Sequence, residues 1–336
     1  MASVTHPPIL GRPLPCPAIR EVVVAVPVRN EALRLPKLLA ALAVAAAASP
    51  VPVTVLILAN NCTDDSAAIA AAFAYPALRV EIACRQLADP TAGLARRLAC
   101  DMATRDGALI MTTDADGVPH RDWIVSALAA AEAGAEVVCG RIRADLRRAL
   151  LTPCARRVAQ LETAYSRLLH ETRHAIEHLR GRGRTAQPHY TEAGASLAIR
   201  ADSYLRIGGM PDVRSSEDRA LVHRAEQNGL RIDYVPQMMV TVSARLRGRA
   251  EGGMAETLRR RLAEPDPLVD QAMLPLPVIR RLWDDAVAGR GDPYPSRAAS
   301  GDWRRLRASD LEATLPHLRA FVLSDVRPLI QGAVAA

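Results

Sequence analysis

The chain has 336 residues, of which 49% are hydrophobic and 24% charged, and its formal net charge is +7. This is an ordinary globular composition. The positive charge comes from dispersed arginines beside a single lysine, Lys37, and only 3% of the residues are aromatic. That pattern argues against a nucleic-acid partner and fits a phosphate-bearing small molecule, because guanidinium groups pair well with phosphate.

Strands and helices alternate through the first third of the chain. Apolar runs predict strands at 21–26, 53–58, 78–83 and 108–111, with helices at 32–48, 65–73 and 93–105 between them. This alternation predicts an α/β fold, with a mostly parallel sheet and helices on both faces. Ligands of such sheets bind beyond the carboxyl ends of the strands, where polar residues 27–31, 60–64 and 114–116 are expected.

The second half is less regular. We predict a helix at 149–179, a strand at the end of 189–200, a helix from Ser215 to about Asn228, and strands at 231–235 and 238–242. From Glu251 onward the pattern is mainly helical. The chain is therefore divided into a Pro-rich tail (1–18), an α/β domain (19–250) and a mainly helical extension (251–336).

Several features bear on location. The six cysteines contain no Cys-x-x-Cys pair, which predicts free thiols in a reducing, cytoplasmic compartment. The Pro-rich tail lacks the pattern of a signal peptide. The uncharged stretch Leu38–Leu58 is as long as a membrane span, but Pro50 and Pro52 divide it into a helix and a strand. We expect no transmembrane segment and leave peripheral membrane contact open.

Two carboxylates follow the strand at 108–111. Asp114 and Asp116 are spaced i, i+2 at a strand end, so their side chains are expected to point the same way, and Gly117 would let the backbone turn out of the sheet. An incomplete oxygen cage of this kind suits Mg²⁺ or Mn²⁺ whose shell is completed by substrate phosphates. An ordinary Asp-Gly turn is the alternative.

A second acidic pair, Glu217 and Asp218, has two interpretations. Ser215-x-x-Asp218 matches a capping box, so both carboxylates could stabilise the start of a helix. Alternatively, Asp218 is a general base within hydrogen-bond reach of a substrate hydroxyl.

A group of arginines and a group of histidines are the remaining candidates for ligand or metal binding. Arg245, Arg247 and Arg249 form either a solvated loop or a clamp for a leaving diphosphate. His170, His174 and His178 share one helix face, for which a partly exposed surface is favoured over a metal site.

In order and spacing, these pieces resemble an inverting family 2 glycosyltransferase of the GT-A fold, non-processive and bacterial in type. The similarity lies in residues 22–42, 55–66, 93–117, 194–212 and 215–236. The resemblance implies an enzyme that moves a sugar from a nucleotide-diphospho-sugar to an acceptor hydroxyl. It implies Mn²⁺ or Mg²⁺ as cofactor and leaves the acceptor open among small molecules, lipids and glycans.

Residue roles follow from the same resemblance. The donor would contact a set of residues from the strand ends and from the arginine loop: Pro27, Val28, Asn30, Glu31, Asn61, Arg96, Asp114, Arg245 and Arg249. Asp116 would bind the metal, with Asp114 approaching the ribose or the metal. Asp218, of the Glu217–Asp218 pair, would be the base, and 194–196 and 208–209 would lie on the acceptor side. The family often has an aspartate where Asn61 stands, and its Gln-x-x-Arg-Trp element is absent here.

Other classes fit less well. A haloacid-dehalogenase-type phosphatase needs a lysine downstream of its aspartates, and Lys37 lies upstream. A dehydrogenase needs a Gly-x-Gly-x-x-Gly turn after the first strand, which is absent. A nucleotidyltransferase remains an alternative because Arg34-Leu-Pro-Lys37 resembles the Arg-x-x-Pro-Lys pattern of that group, although its glycine-rich loop is missing. A non-catalytic relative that binds a nucleotide-sugar or a partner protein also remains open.

Overall fold

The computed structural model describes residues 17–145, 152–182, 186–213, 216–243, 254–290 and 304–329. Strands and helices alternate in the first described stretch as the apolar runs predict. They are β1 (Glu21–Val28), α1 (Leu35–Ala46), β2 (Val53–Asn60), α2 (Ser66–Ala72), β3 (Arg79–Arg85), α3 (Ala92–Ala103), β4 (Ala108–Thr112), β5 (Val118–Pro119), α4 (Trp123–Glu132) and β6 (Val137–Asp145). Neither α4 nor β6 was among the predicted elements.

The remaining elements are more helical. They are α5 (Pro153–Leu179), β7 (Leu197–Arg200), α6 (Ala201–Arg206), α7 (Glu217–Gln227), β8 (Ile232–Ser243), α8 (Met254–Ala263), α9 (Leu276–Val287) and α10 (Ala308–Phe321), which a π-helical turn continues over Val322–Val326. None of the helices in these described stretches combines the length and the apolar character that crossing a bilayer requires.

The strands form one mixed sheet in the order β3-β2-β1-β4-β7-β6-β8-β5. β1 to β4 are parallel, β7 runs antiparallel to β4 and β6, β8 is parallel to β6, and β5 is antiparallel to β8. The predicted α/β fold with a mostly parallel sheet is confirmed.

Helices cover both faces of this sheet. Alternate side chains of β1 divide between two cores: Val22, Val24 and Val26 pack with α1 and α4, whereas Val23 and Ala25 pack with α3, α6 and α7. A third core joins α5 to α9, α10 and the π-helical turn. The C-terminal helices therefore pack on α5, and the helical C-terminal appendage predicted from the sequence is confirmed.

Two strand predictions need correction at prolines. β1 continues through Pro27, which pairs only with β2 because β4 ends its pairing at Ala25. A proline is tolerated there because no partner needs its missing amide hydrogen. The two strands predicted at 231–235 and 238–242 are the single strand β8, in which the register with β6 shifts between Gly140 and Arg141. The irregularity accommodates Pro236 without ending the strand.

Candidate active site

The carboxyl ends of three parallel strands meet at one edge of the sheet. Val28 of β1 lies opposite Ala59 of β2, and Ala25 lies opposite Thr112 at the end of β4. Since β7 is antiparallel, its first residue, Leu197, pairs with Thr112 at the same edge. The loops after β1, β2 and β4 and the loop before β7 are therefore neighbours.

Arg96 connects three of the surrounding segments. Its Nη2 donates to Asp114 Oδ1 at 2.7 Å, its Nε to Glu217 Oε1 at 2.9 Å and its Nη1 to the Gly194 carbonyl at 3.0 Å. The arginine is only 7% exposed. It lies on the buried face of α3, a helix that Thr91 caps by accepting a hydrogen bond from the Leu94 amide. We call Arg96, Asp114, Gly194, Glu217 and Asp218 the Arg96 cluster.

Two carboxylates of this cluster stabilise the charge of Arg96. Burial alone would lower the pKa of Arg96, but the carboxylates of Asp114 and Glu217 outweigh it and raise that pKa above its ordinary value. Glu217 is buried, whereas the Asp114 side chain is 40% exposed. Glu217 is thus held as the counter-ion of Arg96, while Asp114 keeps access to solvent.

Asp218 is fixed through both of its oxygens. Oδ2 accepts from the Gly194 amide at 2.8 Å and Oδ1 accepts from the Arg219 amide at 2.8 Å. Burial and the charge of Glu217 raise the pKa of Asp218, against the opposing effects of Arg219 and the Gly194 amide. A carboxylate with a raised pKa is a stronger base than an ordinary surface aspartate.

The capping-box interpretation of the acidic pair depends on Ser215 as the N-cap. Helix α7 begins at Glu217, its N-cap is Ser216, and the Ser216 side chain makes no capping hydrogen bond. Ser215 lies outside the described residues. Both carboxylates lie in the first turn of α7, and Asp218 also accepts from the Gly194 amide in the loop before β7.

Gly194 is required for close contact in this cluster. A Cβ atom built on it would lie 2.7 Å from both Cζ and Nε of Arg96. Its carbonyl accepts from Arg96 and also from Thr112 Oγ1 at 2.5 Å, while its amide binds Asp218. One peptide segment therefore links the base candidate to the arginine that holds Asp114.

Asp114 and Asp116 lie in a turn after β4 and not on the strand itself, which ends at Thr112. The Gly117 amide donates to the Asp114 carbonyl at 2.9 Å and closes this turn. Gly117 is needed for space: a Cβ there would lie 2.9 Å from Thr113 Oγ1 and 3.1 Å from Val240 Cγ1.

These two carboxylates offer oxygen ligands but an incomplete cage. Among the described residues, no group of three or more histidine, cysteine, aspartate or glutamate side chains is arranged to hold a metal ion. A hard cation at Asp114 and Asp116 would therefore depend on oxygens supplied by a ligand, which is how Mg²⁺ is commonly bound beside substrate phosphates.

The loops after β1 and β2 are joined by side chains. Asn30, at φ 53°, accepts from the Thr63 amide at 2.7 Å through Oδ1, and its own amide donates to Cys62 Sγ at 3.5 Å. The Glu31 amide donates to Ser66 Oγ at 2.8 Å, and the Glu31 side chain is 5% exposed. The side chain of Val28 is fully buried in the core, and that of Pro27 is partly exposed.

Asn61 has a local structural role. Its Nδ2 donates to the Leu87 carbonyl at 3.0 Å and its Oδ1 accepts from the Leu87 amide at 3.1 Å, with its own backbone at φ 50°. The side chain holds the segment after β3 against the end of β2. Arg245 and Arg249, with Arg247, lie outside the described residues.

A second buried network supports the loop before Gly194. Arg173 of α5 donates to Glu192 Oε1 at 2.9 Å and to the Tyr234 hydroxyl at 3.1 Å, and its guanidinium lies 4.3 Å from the Tyr190 ring centroid. Tyr190 in turn donates to Glu177 Oε2 at 2.8 Å. The sequence interpretation missed this network, because its members are far apart along the chain.

The histidine face of α5 is divided between core and surface. His170 packs against Tyr190 with ring centroids 5.3 Å apart, and burial lowers the pKa of His170 to about 4. His174 and His178 bring their Nε2 atoms to 3.1 Å.

A family model described as glycosyl transferase family 2 matches residues 23–200. Among solved structures, S. aureus TarS 1–349 with UDP-GlcNAc is 17% identical, with a TM-score of 0.48 over 71% of this chain and 61% of that one. The same protein with UDP gives 17% identity and a TM-score of 0.49 over 94% and 87%.

Glucosyl-3-phosphoglycerate synthase from Mycobacterium tuberculosis, with Mn²⁺, UDP and phosphoglyceric acid, is 18% identical, with a TM-score of 0.44 over 73% of this chain and 78% of that one. This chain spans 61% of the first of these structures. No curated protein matches the chain in sequence.

Proposed function

The chain belongs to glycosyl transferase family 2, and from that premise we propose that it transfers a sugar from a nucleotide-diphospho-sugar to an acceptor hydroxyl with inversion at the anomeric carbon. The observation that carries this proposal is the Arg96 cluster. Arg96 binds Asp114, on the side proposed for the donor, and Glu217, the neighbour of the proposed base, at 2.7 and 2.9 Å. A single buried side chain would thus fix the proposed donor side and the proposed base relative to each other.

Asp218 is the proposed general base. Its carboxylate takes the proton of the acceptor hydroxyl as that oxygen attacks the anomeric carbon and the bond to the diphosphate breaks. The amides of Gly194 and Arg219 orient the carboxylate, and the raised pKa favours proton uptake. A single displacement by an acceptor on the face opposite the diphosphate accounts for inversion.

Asp116 is the proposed ligand of Mn²⁺ or Mg²⁺, with Asp114 as its companion. When bound, the cation would neutralise the charge of the departing nucleoside diphosphate. Arg96 Nη2 lies 2.7 Å from Asp114 Oδ1 and orients this carboxylate.

The donor is proposed to lie over the joined loops after β1 and β2. Pro27, Val28, Asn30, Glu31 and Asn61 would shape this pocket. The fully buried side chain of Val28 leaves only its backbone for a contact, and the Asn61 amide acts by holding the loop at Leu87. Arg245 and Arg249 are proposed as partners of the leaving diphosphate.

A cytoplasmic location belongs to the same proposal. In the described part of the chain, Cys62, Cys84, Cys100, Cys139 and Cys154 are all free, which agrees with a reducing compartment.

The test is a panel of UDP-, GDP- and dTDP-sugars with Mn²⁺ or Mg²⁺, measured by thermal shift and by release of nucleoside diphosphate. We expect one donor class to raise the Tm and to release its diphosphate. Asp116→Asn should abolish the metal-dependent part of both signals. Asp122→Asn, at the exposed N-cap position of α4 where the side chain makes no capping hydrogen bond, is the matched control.

Two outcomes would count against the proposal. If no sugar nucleotide binds and Asp116→Asn changes nothing, the transferase assignment fails. Binding without release under any acceptor mixture would instead support a non-catalytic relative.

A further inference from the structure

The loop between α8 and α9 contacts the first turn of α7. Asp270 Oδ1 accepts from Arg219 Nη2 at 3.0 Å, and Gln271 Nε2 donates to Ser216 Oγ. Ser216 directly precedes the acidic pair and Arg219 directly follows it. Two adjacent residues of the C-terminal extension therefore hold both ends of the tetrapeptide that carries Glu217 and Asp218.

Ser216, at the start of α7, has an unfavourable backbone conformation. Ser216 lies in the left-handed region, at φ 62° and ψ 35°, where a residue with a Cβ is strained. Its hydroxyl does not cap the helix and is instead the partner of Gln271. Strained residues persist only where their surroundings fix them, and here the contact from Gln271 supplies a fixing bond.

The loop itself is anchored on α5 and α8. The Asp270 amide donates to Glu162 Oε1 of α5 at 2.6 Å, and both oxygens of Glu162 accept from Arg261 of α8 at 2.5 and 2.7 Å. Asp270 Oδ1 also accepts from the Ala272 amide at 2.7 Å. This gives the loop a defined position from which to hold α7.

Charge adds a second effect. Arg219 lies between Asp218 and Asp270; burial would lower its pKa, but the charges of Asp270 and then Asp218 raise it. One of its nitrogens, Nη1, is buried and has no hydrogen-bond partner among the residues that the structure describes. Asp270 draws the guanidinium toward the loop, and without that carboxylate the cation would be available to neutralise Asp218.

We propose that Asp270 and Gln271 are positioning residues for the base: they fix the first turn of α7 and keep Arg219 from neutralising Asp218. This inference rests on the proposed role of Asp218 in glycosyl transfer. It makes the C-terminal extension a part of the working site.

The test compares Asp270→Asn and Gln271→Ala with wild type in nucleoside diphosphate release. Asp270→Asn keeps an oxygen for the Ala272 amide and removes only the charge. Glu312→Gln is the control, since it removes a carboxylate of the same extension whose partner, Arg157, is exposed.

We expect Asp270→Asn to lower kcat about tenfold with little change in the donor KM, since the base and not the donor is displaced. The acid limb of its pH profile should move to lower pH, because Arg219 then favours ionised Asp218, while Glu217 and Arg96, the other charges facing Asp218, stay in place. Asp270→Glu should restore part of the loss. A kcat and a pH limb equal to those of Glu312→Gln would overturn the proposal.

Hydrogen exchange separates this inference from the proposed function. In Asp270→Asn and Gln271→Ala the amides of residues 217–220 should exchange about tenfold faster than in wild type. If wild type releases no diphosphate from any donor, glycosyl transfer fails while the exchange rates still decide whether the loop holds α7. Unchanged exchange rates in both variants would overturn the proposal that Asp270 and Gln271 hold the first turn of α7.

Discussion

Gly194 donates its amide hydrogen to Asp218 at 2.8 Å and presents its carbonyl to Arg96 at 3.0 Å. The proposed base and the buried arginine thus share the same glycine. Any displacement of the loop before β7 would therefore move both of them.

Replacing Asp218 by asparagine should lower the transfer rate by about 100-fold or more, because the general base is lost. Since the pKa of Asp218 is raised by burial and by Glu217, the wild-type rate should rise with pH along a limb above the usual range of an aspartate. Steady-state release of nucleoside diphosphate against pH measures both. Asp212→Asn, at an exposed aspartate, is the control, and retention of the limb in Asp218→Asn would refute the assignment.

Arg96→Met should destabilise the protein by about 3–5 kcal/mol, since Glu217 and Asp114 would lose a buried counter-ion. Urea unfolding gives the free energy. In the described part of the chain, the ion pairs of the neighbouring Arg97 are long, at 3.8 Å to Asp101 and 3.7 Å to Asp212, so Arg97→Met should cost less than about 1 kcal/mol. The double variant Arg96→Met with Glu217→Gln should recover part of the loss; no recovery would mean that the charge pair is not its source.

Gly194→Ala should cost about 1–3 kcal/mol and most of the activity, because its methyl group would stand 2.7 Å from Arg96. Gly289→Ala is the comparison. That glycine has φ 68° and open space around its Cβ position, so only backbone strain of about 1 kcal/mol is expected there. Equal activity in the two variants would show that the contact with Arg96 does not matter.

Acid should destabilise the fold between about pH 6.5 and pH 4. Burial, with nearby arginine charge, lowers the pKa of His170 and of His189 from 6.5 to about 4. The unfolded chain therefore binds more protons in this window, and stability is complete above pH 6.5 and falls as pH decreases, by up to about 3 kcal/mol for each histidine.

Urea unfolding at several pH values checks this dependence. His170→Phe keeps a ring beside Tyr190 and should flatten the curve, whereas His317→Gln, at an exposed position of α10, should leave it unchanged. A curve of wild-type steepness in His170→Phe would contradict the expectation.

The fold could be predicted where burial determines the residue type. β1 and β2 are covered on both faces, so their runs of valine, isoleucine and leucine are continuous and unambiguous. β8 was divided in error at Pro236, because the sequence does not show that a register shift can absorb a proline.

The sequence indicates which residues are candidates for the site, but not which of their side chains contact one another. Arg96 is a charged residue on the buried face of α3 beside Ala99, Cys100 and Ala103, which is a local signal of an unusual role. Its partners Gly194 and Glu217 lie 98 and 121 residues away, and no local pattern contains that distance. The network around Arg173 was not predicted for the same reason, since its members also lie far apart in the sequence.

Side-chain hydrogen bonds hold the loop before β7 at several points. At the end of the loop, Ser196 accepts from Trp123 Nε1 at 3.0 Å and donates to the Met238 carbonyl at 2.9 Å. Earlier in the loop, Glu192 binds Arg173. Binding affinity is normally reduced by the entropy lost when a mobile loop becomes fixed. An acceptor that docks against Gly194 would avoid that loss, so its affinity would be set by its fit to a preorganised wall.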